Sequence, residues 1–162
     1  MKETMNNYEE MNQKYLIPVE LSNEEQLLGF GGFGTVYKGL KIQTQTPVAI
    51  KQISKCYTPP ALFTKEIQTL KQIEKFGGHP QIAQYYDYYE DLDYYYIILE
   101  YVKGGEMFDQ LVSLGSYSES DASRMLRQVA RALVFLHCIG IVHVSFKTLS
   151  FRFIRFNWGF LS

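Results

Sequence analysis

The chain has 162 residues, 46% of them hydrophobic and 20% charged, which suits one globular domain or a fragment of a larger one and is too apolar for a disordered chain. Sixteen basic against seventeen acidic side chains leave it near neutral, which excludes a nucleic-acid-binding stripe or a polybasic membrane patch. The polar, mixed-charge start MKETMNNYEEMNQKY is no signal peptide. No apolar run approaches the ~20 residues of a membrane span, so a cytoplasmic location is expected. Cys56 and Cys138 are far apart and lack metal-ligand companions, and both are read as buried free thiols of a reducing compartment.

Residues 1–20 read as a flexible polar extension without a periodic apolar face. From Leu27 to Lys51 short apolar stretches are broken by glycines and by QTQTP, which predicts a small antiparallel sheet. Thr58 can cap a helix over 58–76, with Pro59 and Pro60 in the first turn, where a missing N–H costs least. Two further strands are expected around QYYDYY and YYYIILEY, joined by the turn EDLD. The seven tyrosines there fit strand propensity and cross-strand packing better than a stacking platform. KGGEMFDQLV reads as a linker into a short helix. Ser118, with Asp121 three residues on, opens a stronger helix near 119–138. Along it Ala122, Met125, Leu126, Val129, Leu133 and Leu136 recur at helical spacing, and Gly140 can close it. A mostly β half before a mostly α half predicts two lobes with a hinge near residues 100–104.

LGFGGFGTVYKG holds G-x-G-x-x-G at Gly29, Gly31 and Gly34. In dinucleotide-binding folds such glycines open a helix. Here they run into β-rich TVYKGL, so a hairpin is expected whose backbone N–H groups can approach phosphates. Fifteen residues after Val36, VAIK ends in Lys51 on an apolar strand, where a buried ammonium needs a partner. At about 100° per residue, Leu62, Leu70 and Ile73 lie near Glu66 on the helix, which puts that carboxylate amid the apolar face. A Lys51–Glu66 pair satisfies both charges and aims the lysine at a polyphosphate.

With VAIK, KEIQTL, HPQI, ILEYVKGGEMFD and FLHCIGIVH in order, the chain resembles the first part of a eukaryotic protein kinase. It is most similar to the calcium/calmodulin-dependent serine/threonine type, over roughly residues 23–143. The resemblance implies an α+β fold: an N-terminal lobe of five antiparallel strands and one helix, with only the first helices of the C-terminal lobe. The division implied is an extension (1–22), an N-lobe (23–102), the hinge exit and first C-lobe helices (103–143), and a divergent tail (144–162). Gly29, Phe30, Gly31, Gly34 and Val36 would cover ATP, and Lys51, oriented by Glu66, would hold its α- and β-phosphates. Val36 and Ala49 would sandwich the purine, Leu99 would stand as gatekeeper, the backbone of Glu100 and Val102 would meet adenine, and Glu106 the ribose.

The catalytic stretch departs from this pattern. Where the family reads H-R-D-L-K-x-x-N, this chain reads HVSFKTLS. His143 and Lys147 match, but Ser145 stands at the catalytic base and Ser150 at a metal ligand. A neutral hydroxyl is a poor proton acceptor and a poor Mg²⁺ ligand. Asn157 of NWG stands for the metal-binding aspartate of D-F-G, yet comes only seven residues after Ser150, too few for the usual strands and turn. Residues 144–162 carry no acidic side chain and read like text joined to a kinase at His143, without an activation segment. The expectation is an ATP-binding domain fragment of serine/threonine kinase type, inactive in phosphotransfer. The alternatives are a pseudokinase-like interaction module that binds a partner kinase, or an active kinase, with a protein substrate, whose true C-terminal part is missing.

Overall fold

The structure is a computed structural model that describes residues 2–17, 26–31, 34–103 and 118–142. The chain falls into two compact units, one of residues 1–70 and 84–101, the other of residues 71–83 and 102–162. The first is built on an antiparallel sheet. Its strands are β1 (Tyr15–Leu16), β2 (Leu27–Gly31), β3 (Gly34–Lys41), β4 (Thr46–Ser54), β5 (Tyr85–Glu90) and β6 (Tyr94–Glu100). They run in the order β1-β3-β4-β6-β5, with β2 also paired to β3. The five antiparallel strands expected are present; β1 is a sixth. No helix follows Gly34, which begins β3.

Strand alternation gives the sheet two buried faces. From β4 and β6, Val48, Ile50, Tyr96 and Ile98 point to one face; Ala49, Ile53, Tyr95, Ile97 and Leu99 point to the other. On the second face lies α2 (Pro60–Lys75), with Phe63 and Ile67 buried and Leu70 packed beside them. Phe63 stacks on Tyr95 with ring centroids 3.9 Å apart. The first carbonyl in the helix is that of Pro59, which accepts from Leu62 and Phe63, so Pro60 is the first helical residue and the helix starts two residues later than expected. Gly77 and Gly78 close it with positive φ, the Gly78 N–H reaching back to the Ile73 carbonyl.

The first face carries a correction. Where residues 1–20 were read as a flexible extension, the chain forms α1 (Lys2–Lys14), and Met11 and Tyr15 are fully or nearly fully buried against Val48, Ile50, Tyr89 and Ile98. Tyr8, Met11 and Tyr15 stand at i, i+3 and i+7, one helical stripe that the polar residues around it mask. Between β5 and β6, EDLD turns as expected. Asp91 accepts the Asp93 and Tyr94 N–H groups on one carboxylate oxygen and the Tyr96 hydroxyl on the other. The Tyr89 hydroxyl donates to Asp87. Burial, reinforced by these hydrogen bonds, holds both phenols far above the ordinary tyrosine range.

In the second unit α3 (Glu119–Cys138) opens at Ser118, whose carbonyl accepts from Ala122. It closes at Gly140: with φ +77° that residue donates to His137, and Ile141 donates to Leu136. Met125, Val129 and Ala132 are buried. Leu126, expected inside, is exposed, because the buried stripe turns toward Ala132. Both cysteines are exposed rather than buried: Cys56 sits in the turn after β4, and Cys138 on the outer side of the last turn of α3. The short helix expected in KGGEMFDQLV lies outside the described residues. Among the described residues, no helix is long and apolar enough to cross a membrane.

Candidate functional site

The glycine segment is a hairpin of strands. In the register of β2 and β3, Gly29 stands opposite Val36, Phe30 opposite Thr35 and Gly31 opposite Gly34. Phe30 is exposed. Gly34 has φ +111°, and a Cβ there would meet the Gln52 carbonyl oxygen at 2.2 Å, so only glycine lets β3 start this close to β4.

The next strand supplies the cation. β3 pairs Val36 with Lys51 and Lys38 with Ala49, and β6 pairs Leu99 with Ala49 and Ile97 with Lys51. Lys51 thus stands beside Val36 of the hairpin in the neighbouring strand, on the face that α2 covers. Its Nζ donates to Glu66 Oε1 at 2.6 Å. The two ends of this pair differ. The lysine side chain is 9% exposed, the glutamate 38%. Glu66 does not sit amid the apolar face, as the helical geometry predicted. The buried stripe runs through Phe63, Ile67 and Leu70, Leu62 is exposed, and the carboxylate occupies the margin, one side toward Lys51 and the other toward water. Such a position lets one carboxylate neutralise a buried ammonium without itself being fully desolvated.

Around the lysine the same face is apolar. Leu99 is buried, and Ala49 packs against the cluster of Ile53, Ile97 and Leu99. Glu100, at the end of β6, donates its N–H to the Gln84 carbonyl, while its carboxylate accepts the Gln84 N–H. Val102 is half-buried and belongs to the second unit. Glu106, His143, Ser145, Lys147, Ser150 and Asn157 lie outside the described residues. Among the described residues, no three His, Cys, Asp or Glu side chains gather as metal ligands.

The residues brought together therefore make a polar pair at the floor of an apolar face, edged by a glycine hairpin. Val36 pairs with Lys51 across β3 and β4, and Ala49 and Leu99 lie on the same face as the lysine. Sequence reasoning missed α1, although Tyr8, Met11 and Tyr15 carried its signal.

Comparison with known proteins gives the same pattern a wider frame. A family model described as protein kinase domain matches residues 22–149. A probable myosin light chain kinase of Dictyostelium discoideum is 39% identical over 127 residues, covering 78% of this chain and 39% of that protein. A calcium/calmodulin-dependent protein kinase type 1 of Macrobrachium nipponense is 40% identical over 130 residues, covering 76% of this chain and 35% of that protein. The chain thus spans well under half the length of either relative. Among solved structures, the crystal structure of Rad53 1-466 in complex with AMP-PNP superposes with a TM-score of 0.68 at 30% identity, over 86% of this chain and 36% of that one.

Proposed function

Because the chain belongs to the protein kinase family, as a domain of serine/threonine type, we propose that it binds ATP through the glycine hairpin and Lys51 and transfers little or no phosphate. The observation that carries the binding half is the 2.6 Å contact between Lys51 and Glu66 in register with Val36 of the hairpin. The AMP-PNP held by Rad53 is of the chemical class that this site fits.

In this reading backbone N–H groups of the glycine hairpin approach the phosphates, and Lys51 neutralises two of them while Glu66 fixes its direction. Val36 and Ala49 take the purine faces, with Leu99 behind. At Glu100 the purine is met by the peptide carbonyl, since the N–H is given to Gln84. Val102 supplies the second backbone contact and Glu106 the ribose partner.

The catalytic half rests on HVSFKTLS. Phosphoryl transfer needs a carboxylate to orient the nucleophile and charged ligands for Mg²⁺. Ser145, Ser150 and Asn157 supply hydroxyls and an amide in their place. Mg²⁺, when bound, would neutralise phosphate charge, and Ser150 and Asn157, as neutral groups, would hold it only weakly. A protein substrate, or a partner kinase, is then a binding partner rather than a reactant.

Titration of the folded chain with a fluorescent ATP analogue tests the site. Lys51→Ala weakens binding by more than about tenfold and Glu66→Ala by less. Equal binding by the wild-type chain and Lys51→Ala refutes the assignment. Binding of a partner kinase that ignores nucleotide would favour an interaction module instead.

A further inference from the structure

Two helices cover the sheet, and the proposed site uses only one of them. On the face away from Lys51, α1 and β1 close the cluster of Val48, Ile50, Tyr89, Tyr96 and Ile98 with Met11 and Tyr15. Tyr15 meets Tyr89 edge-on at 6.2 Å, and Tyr8 lies against Tyr96 at 5.5 Å. Lys14 bonds Glu10 on its own helix and stands 4.0 Å from Asp87 on β5.

The helix is also joined to the sheet through its backbone. Lys14 gives its carbonyl to the Ile42 N–H at 2.9 Å, and β1 continues the contact, Tyr15 opposite Lys41 and Leu16 opposite Leu40. Gly39 makes room for this approach. A Cβ there would lie 3.0 Å from the Leu16 carbonyl and 2.4 Å from Ile50 Cδ1.

The edge of β3 that β1 occupies is the one that also holds β2. Residues 40–41 of β3 pair with β1; residues 34–37 pair with β2, the strand carrying Gly29 and Gly31. Only ten residues of chain separate Leu16 from Leu27. Two neighbouring segments therefore share one strand, joined by a short connection, and seating one restricts the other.

We infer that residues 8–16 are a positioning clamp: α1 and β1 fix the outer face of the sheet and the edge of β3, and so hold the glycine strand β2 in register. The clamp's ring and strand contacts fall on Tyr89, Tyr96, Leu40 and Lys41 rather than on the proposed site. Its consequence for nucleotide affinity rests on the ATP-site reading above; its effect on the order of β2 does not. Loosening it leaves Lys51 and Glu66 in contact and widens the ensemble of β2, so a ligand must select the ordered fraction.

Hydrogen exchange on the full-length chain separates these two consequences. In the wild type, amides of residues 15–16, 27–31 and 40–42 are protected and, in mild urea, open together as one unit. Met11→Asp accelerates exchange at 27–31 and 40–42 by about tenfold or more, while amides of residues 66–70 in α2 keep their protection. The same variant binds the fluorescent ATP analogue about threefold to tenfold more weakly than the wild type. Where Met11→Asp unfolds the whole lobe, Met11→Ala gives the same pattern at smaller amplitude. Free exchange of residues 10–16 in the wild type, or unchanged protection of 27–31 in both variants, overturns the clamp. A wild-type chain that takes no analogue refutes the ATP-site reading, and the clamp is then decided by exchange alone.

Discussion

Glu66→Ala and Lys51→Met remove opposite ends of one ion pair, and their unequal burial predicts unequal costs. The lysine side chain is 9% exposed, the glutamate 38%. Without Glu66, Lys51 stands on the apolar face beside Ile97 of β6 and loses the hydrogen bond at its Nζ. A hydrogen bond between charged groups contributes about 1.5–3 kcal/mol. Partial exposure of the carboxylate and the reach of the lysine stem toward water reduce this to about 1–2 kcal/mol for Glu66→Ala. Lys51→Met instead removes the desolvated charge and leaves a side chain of similar length, while Glu66 turns to water. That change is expected within about 0.5 kcal/mol of wild type, although the proposed phosphate site loses its cation. In Lys51→Met/Glu66→Ala the loss seen in Glu66→Ala is recovered, giving a coupling of about 1–2 kcal/mol. Urea unfolding without nucleotide measures all four corners, provided the slope is common to them. If Lys51→Met costs as much as Glu66→Ala, or if the two losses add, the lysine is not held by this carboxylate in the way the exposures imply.

Three further outcomes follow from particular groups. Gly34→Ala combines φ +111° with a Cβ placed 2.2 Å from a backbone oxygen, so calorimetry should show a loss of more than about 2 kcal/mol. His79, stacked on Phe135 and accepting the Gln81 N–H, has its pKa lowered by burial first and by Arg131 second. A depressed histidine stabilises the fold only when neutral. That contribution is present above the ordinary imidazole pKa of about 6.5 and is lost as pH falls through the lower folded value; His79→Gln should flatten the decline of the urea midpoint over that range, and an unchanged slope would refute it. Ser145→Asp alone should leave radiolabelled phosphate transfer at the level of Lys51→Ala, because Ser150 and Asn157 remain neutral.

What the sequence revealed and what it hid follow from how each feature is encoded. The glycine hairpin, β4 and β6 were legible because β-branched runs and glycine breaks are local signals. The caps of α2 and α3 were legible for the same reason, though Pro59 displaced Thr58 at the start of α2. Lys51 and Glu66 were found as partners because each was costly alone. The exact seat of Glu66 was not found, since a helical wheel cannot say which of two adjacent stripes faces the sheet; Phe63 and Ile67 were chosen by Tyr95 and Leu99, which come later in the chain. The same non-local cause hid α1. Its three apolar residues are too few to declare a helix, and their value exists only where β4, β5 and β6 present Ile50, Tyr89 and Ile98. Cys56 and Cys138 were read from the average habit of cysteine, and the turn and helix face they occupy overruled it.

The two halves of the kinase pattern need different things from the chain, which is why one can persist without the other. Binding demands a shape: a strand register that sets Val36 beside Lys51, a glycine that no other residue replaces at position 34, and a carboxylate at the edge of an apolar stripe. Each of these is also part of how the first unit folds. Gly34 lets β3 meet β4, and Glu66 neutralises a charge that would otherwise stand unpaired in the core. A change at either weakens the lobe whether or not nucleotide is present. The proposed loss of transfer is read from sequence: Ser145 and Ser150 are small neutral residues where transfer needs charge. Selection for the fold alone therefore suffices to preserve Gly34 and the Lys51–Glu66 pair, and their presence is by itself no testimony to phosphate transfer.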